Sequence, residues 1–152
     1  MKHLFVLFIG IMALSSCDED FEEAKFRCKI NNDEFVASDD LTAVTVSGNG
    51  NDFYIQASRV ANPLSSDLYG EVKLDFTATA TGMIELDAIN TWRWSNTGDQ
   101  TFRSDNNNPG TLNITTLDVA GKRIAGTFEL TAVNDGGTAT KNVTEGFFDL
   151  TW

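Results

Sequence analysis

Few residues in this chain are of types that do chemistry, and their spacing narrows the choice. Trp92-Arg93-Trp94 sets two indoles at i and i+2, which a β-strand places on one face. Open to solvent, the pair would stack on sugar rings or clamp another ligand; turned inward, it would be core. Asp105-Asn106-Asn107-Asn108-Pro109-Gly110 gathers the carboxylate and amide oxygens that calcium prefers. The twelfth position counting from Asp105 is Thr116, not the bidentate Glu of an EF-hand, so a plain turn is expected there and at Ser47–Asp52. With 22 Asp+Glu, some pair will lie at the spacing glycosidases use, but the sequence singles out none. The only histidine is His3, and the cysteines are Cys17 and Cys28.

The segment holding His3 is a targeting sequence. Lys2 and His3 form a short basic start, and Leu4–Leu14 is an apolar run shorter than the roughly 20 residues a spanning helix needs. Leu14-Ser15-Ser16-Cys17 resembles the lipobox of bacterial lipoproteins. That resemblance implies a signal peptide over residues 1–16, with Cys17 diacylated on sulfur, cleaved at its amino side and N-acylated. The alternative is an ordinary signal peptide with a chance cysteine. One acyl chain holds a protein to a bilayer only marginally, whereas two or more anchor it stably.

Cleavage before Cys17 would remove His3. The rest of the sequence then offers no Ser-His-Asp or Cys-His pair and no histidine ligand for zinc or haem. With Cys17 acylated, Cys28 is the one free thiol and cannot form an internal disulfide. A core position is expected for it, the alternative being a reactive thiol.

Behind Cys17 comes Asp18-Glu19-Asp20-Phe21-Glu22-Glu23-Ala24, a run that charge repulsion keeps extended. Residues 17–24 read as a tether able to hold a domain about 25 Å off a bilayer. An acidic patch in this place resembles the surface-export signal of Bacteroidetes-type lipoproteins. In enterobacterial-type lipoproteins, Asp at the position of Asp18 would instead imply inner-membrane retention. The whole patch matches the first pattern, so the outer membrane, facing outward, is expected.

The formal net charge of -11 repels phosphate backbones, which excludes nucleic-acid binding as an expectation. It also disfavours adsorption to anionic headgroups by electrostatics alone.

From Lys25 onward apolar residues recur with period two, punctuated by Gly, Asn and Asp. Val72, Leu74 and Phe76 alternate with Glu71, Lys73 and Asp75, the cleanest case. Asn31-Asn32 suits a two-residue hairpin turn, because Asn tolerates positive φ. A short helix is an option within Val60–Tyr69, which contains Pro63. The closing strands, Lys122–Ala132 and Ala139–Trp152, are joined by a turn at Asp135-Gly136-Gly137. In the second of them Val143 is odd while Phe148, Leu150 and Trp152 are even. One face cannot bury both sets unless a bulge near Glu145-Gly146 shifts the parity, with Gly126 marking a matching bend. About ten short antiparallel strands in one domain, residues 25–152, predict an all-β, antiparallel β-sandwich, with a closed β-barrel as the alternative.

Phe26-Arg27-Cys28-Lys29-Ile30-Asn31, then Phe35-Val36-Ala37, Gly126-Thr127-Phe128-Glu129-Leu130 and Val143-Thr144-Glu145-Gly146-Phe147-Phe148 resemble a family of small Bacteroidetes lipoproteins known as a domain of unknown function. The resemblance spans nearly the whole body and implies an all-β domain behind a lipid anchor. It brings no catalytic residue with it.

The expectation is therefore a lipid-anchored, non-enzymatic binding or assembly module without cofactor or metal. It would meet the membrane through Cys17 and a protein or glycan partner at the cell surface. The alternative is a carbohydrate-binding accessory lipoprotein using Trp92 and Trp94. A hydrolase built on carboxylates alone stands third.

Overall fold

A computed structural model describes residues 24–47, 50–59, 70–89, 91–96 and 100–152, with the Asn96 side chain left aside. The expected signal peptide, Cys17, nearly all of the expected acidic tether, Gly48-Asn49 and the Val60–Tyr69 connection lie outside the described residues.

The described chain is β-structure throughout, apart from one 3-10 turn at Asp39–Leu41. In order the strands are β1 (Phe26–Ile30), β2 (Asp33–Val36), β3 (Thr42–Ser47), β4 (Asp52–Arg59), β5 (Gly70–Thr77) and β6 (Gly82–Leu86). They continue as β7 (Thr91–Asn96), β8 (Thr101–Arg103), β9 (Gly110–Asp118), β10 (Arg123–Asn134) and β11 (Thr140–Thr151). Period-two patterning placed the two closing strands within two residues of the bounds of β10 and β11. The Asn31-Asn32 turn forms as expected, with φ of 54° and 70°.

All 11 strands belong to one antiparallel sheet in the order β2-β1-β11-β10-β8-β7-β5-β4-β3. The order branches at β10. Along one edge β10 pairs with β11; along the other, its first half pairs with β9, which carries β6, and its end pairs with β8. A strand serving two neighbours on one edge must divert one of them, so the sheet curls into a half-barrel. The outcome lies between the sandwich and the closed barrel that the sequence left open.

Curling brings remote strands together over one core. Trp152, just past β11, meets Phe53 of β4 edge-on at 5.6 Å between ring centroids. At the other arm, Ser38 N–H donates to the Ser58 carbonyl at 3.0 Å, tying the exit of β2 to the end of β4. Arg59 donates to the Glu34 carbonyl at 3.1 Å with its guanidinium 5.5 Å from the Phe35 ring centroid. Cys28 lies fully inside, as expected, and burial pushes its thiol pKa well up against a weak opposing pull from Arg59.

The expected bulge in β11 is present. Pairing with β1 shifts between Arg27 and Lys29, opposite Glu145-Gly146, and pairing with β10 shifts between Phe128 and Leu130, opposite Thr144-Glu145. Val143 before the bulge and Phe148 and Leu150 after it are all buried. The bend at Gly126 is also there, as a shift in the β9–β10 register between Ala125 and Gly126.

Gly146 lies against the Phe128 carbonyl oxygen and ring, so a Cβ there would force the bulge open. Gly146→Ala is expected to destabilise the fold by about 1–3 kcal/mol, the usual cost of overpacking. Gly136→Ala, whose added Cβ would come no closer than 3.6 Å to Thr138, is expected to stay within about 0.5 kcal/mol. Urea unfolding of both variants checks the pair.

Candidate functional site

Trp92 and Trp94 project into the core. Their cross-strand partners on β5 are Leu74 and Val72, which face inward, so strand parity carries the indoles the same way. Trp92 has no exposed surface, and Trp94 keeps 9 %. The Trp94 ring packs 5.7 Å from that of Phe102, and the Lys141 ammonium sits 5.7 Å and 5.6 Å from the two centroids. The sugar-platform reading of Trp92 and Trp94 is therefore corrected: neither indole has a face open for stacking. Both indole N–H groups are buried without an acceptor among the described residues. Sequence reasoning put the two rings on one face; the curl of the sheet decided that the face is internal.

The Asp105 carboxylate is committed to its own turn. Its Oδ1 accepts from the N–H groups of Asn107 at 3.0 Å and Asn108 at 2.7 Å. Beside it, Ser104 Oγ accepts from Trp92 N–H at 2.9 Å and donates to the Asp87 carbonyl at 3.0 Å, which fixes the β7–β8 hairpin to the end of β6.

The outer surface of the sheet offers a different site, built by the bulge. Across β6, β9, β10, β11 and β1 one transverse row runs Met83, Asn113, Thr127, Phe147, Arg27. The next row carries Glu85, Thr111 and Glu129, with Glu145 emerging from the bulge beside it. Between the rows lies a groove of about 540 Å³. Its floor is small and polar; Met83, 67 % exposed, forms one wall. Arg27 forms the other, its guanidinium 4.2 Å above the Phe147 ring. Glu145 is held by Lys29, whose Nζ lies 2.9 Å from Oε1 and 2.8 Å from Oε2.

Glu145 has φ of 53°, in the left-handed region that favours Gly and Asn. Core packing requires a bulge here, but it does not require glutamate. A non-Gly residue in this conformation costs about 1–2 kcal/mol, and its partly exposed ion pair with Lys29 returns no more than about 1 kcal/mol. The carboxylate thus sits at the groove with no net stability to account for it, the pattern of strain kept at a working site. The groove supplies amide, hydroxyl and carboxylate groups beside two apolar side chains, a mixture suited to holding a polar ligand or a peptide.

A second groove, of about 530 Å³, lies where the chain enters the domain and is lined by Ala24, Lys25, Asp39, Thr42, Arg123 and Asp149 among others. Lys25 pairs with Asp39 at 2.7 Å. Arg123 donates to both Asp149 oxygens, at 2.8 and 2.6 Å.

Two measurements check these sites. Glu145→Asn is expected to change stability by less than about 1 kcal/mol in urea unfolding, since Asn accepts the backbone while the exposed pair is lost. A loss of several kcal/mol would make the carboxylate a structural strut. The hydrogen bond from Arg123 holds Asp149 below the ordinary carboxylate range, against a smaller opposing effect of burial. Its stabilising contribution is then complete above the unfolded-state value of about 3.9 and disappears as pH falls through the lower folded-state value. The stability gap between wild type and Asp149→Asn should accordingly be level near neutrality and close in strong acid; a gap unchanged at about pH 2 would assign it elsewhere.

Among known proteins, the family model for a domain of unknown function, DUF6252, matches residues 22–150. No curated protein and no solved structure matches the chain. The family match covers the 11 strands almost end to end, from before β1 to the penultimate residue of β11. The chain belongs to the DUF6252 family, whose domain has no assigned function.

Proposed function

We propose that the protein is a non-enzymatic, lipid-anchored module of the bacterial outer membrane that faces outward and holds a protein or glycan partner in the groove beside Glu145. The observation that carries the binding role is Glu145 itself, a left-handed glutamate retained where Gly or Asn would serve the fold better. The anchor rests on Leu14-Ser15-Ser16-Cys17, and the outward orientation on the acidic run from Asp18 to Glu23.

The geometry at the chain entry supports this arrangement. Lys25 accepts a hydrogen bond from Asp149 N–H at 2.9 Å through its carbonyl, so the tether would leave beside the end of β11. The turns at Asn31-Asn32 and Asp135–Gly137 lie at the opposite ends of their strands and would face away from the membrane.

Metabolic labelling with a fatty acid tests the anchor: wild type should carry label and Cys17→Ala should not. Label persisting in the variant would place the attachment elsewhere. Protease treatment of intact cells should degrade the wild-type domain, and full protection would leave it periplasmic. On the same cells, a glycan and peptide array probed with wild type and Glu145→Asn tests the groove. Equal binding by the two proteins would remove Glu145 from the site.

A further inference from the structure

Three strands end the sheet among the described residues, and they differ in how their free edges are protected. β2 carries Asp33 and Glu34 and is only four residues long. β6 carries Glu85 and begins at Gly82, whose φ is 138°. β3, Thr-Ala-Val-Thr-Val-Ser, has no charge, no proline and no glycine. It also has no bulge, pairing with β4 in unbroken register from Thr42↔Ala57 to Ser47↔Asp52. Natural edge strands are blunted by charge, proline, bulges or shortness, because unpaired N–H and C=O groups template a further strand. β3 has none of these in a chain whose net charge is -11.

Its side chains describe what would pair with it. Val44 and Val46 face the core and pack against it but stay half-buried, because no strand among the described residues lies beyond them. Ala43, Thr45 and Ser47 face outward and are exposed. We propose that two copies of this chain join edge to edge through β3, antiparallel about a two-fold axis at Thr45. Any strand could supply the hydrogen bonds; a second β3 also matches the alternation of faces and brings no charge into the seam. With Thr45 opposite the partner's Thr45, Val44 meets the partner's Val46, and Ala43 meets the partner's Ser47. Directly opposed residues then share parity, so the two core faces are continuous, whereas a slip by one residue would turn them to opposite sides. A closed two-fold interface is the commonest symmetry of soluble assemblies. No charge lies in the seam. Each copy carries a net charge of -11, so association should tighten as salt screens the acidic bodies.

Cysteine cross-linking of the full chain reads the register. Thr45→Cys, Ala43→Cys and Ser47→Cys are each oxidised in membranes and run on a non-reducing gel, with wild type setting the background from Cys17 and Cys28. A residue on the axis faces itself, at a Cβ separation of about 4.5–5.5 Å that a disulfide can close with slight adjustment. The equivalent residues at position 43 would stand about 13 Å apart along the strands, beyond reach. Thr45→Cys should therefore give a dimer band several-fold above background that grows with salt. Ala43→Cys and Ser47→Cys should each stay at background, and their co-expression should restore the band. No band at Thr45→Cys, equal bands at all three positions, or capture of Thr45→Cys by a different protein would overturn the proposal. Sedimentation in detergent gives a second reading without any new cysteine. Wild type should show dimer mass and Thr45→Lys monomer mass; a wild-type monomer at high salt would overturn the pairing.

Discussion

One extra residue in β11 holds the fold together. The strand must bury Val143 near its start and Phe148 and Leu150 near its end, and strict alternation would leave one set in water. The bulge at Glu145-Gly146 resolves the conflict, and both neighbouring strands change register opposite it. The same irregularity opens the outer surface, because the extra residue spreads the side chains of β10, β11 and β1 and leaves the groove between them. The core's demand for parity and the candidate site thus have one cause. What the core leaves undetermined is the residue at the left-handed position, and it is there that the sequence has kept a glutamate.

The curl of the sheet follows from β10, whose one edge serves both β9 and β8. Large aromatic side chains fill the concavity: Phe26, Phe35, Phe53, Phe76, Trp92, Phe102 and Phe148 are all essentially without solvent contact. Phe53 and Phe76 stack at 5.6 Å, and Trp152 closes over Phe53 from the other arm. A half-barrel packed in this way has no use for an open aromatic face, which is why the tryptophans that suggested a sugar platform are interior. Their N–H groups, without an acceptor among the described residues, are the cost of filling that space with indole rather than phenyl.

Charge is distributed with the opposite logic. Among the described residues, the ion pairs Lys25–Asp39, Lys29–Glu145, Arg103–Asp135 and Arg123–Asp149 are at least partly exposed, where solvent screens them, while Lys73–Glu71 is more enclosed. With twice as many acidic as basic side chains, at least half of the carboxylates have no cation to meet, and the outer surface repels its own kind. Against that background the uncharged edge of β3 is the place where two such bodies can come together without opposing carboxylates within the seam.

Local chemistry settled much of this protein from its sequence alone. Alternation located the strands, since a half-buried strand must repeat every two residues. Asn31-Asn32 announced its turn, because few other residues accept positive φ at two successive positions. The mismatch between Val143 and Phe148 required the bulge on parity alone. Parity also showed that Trp92 and Trp94 share a face. Which face of β7 looks inward, which strands end the sheet, and where the outer rows leave a groove were decided only by the tertiary structure. Those properties depend on the branching at β10 and on contacts such as Phe53 with Trp152, between residues far apart in the chain. Periodicity along a strand fixes which side chains travel together; only the closure of the sheet fixes where they go.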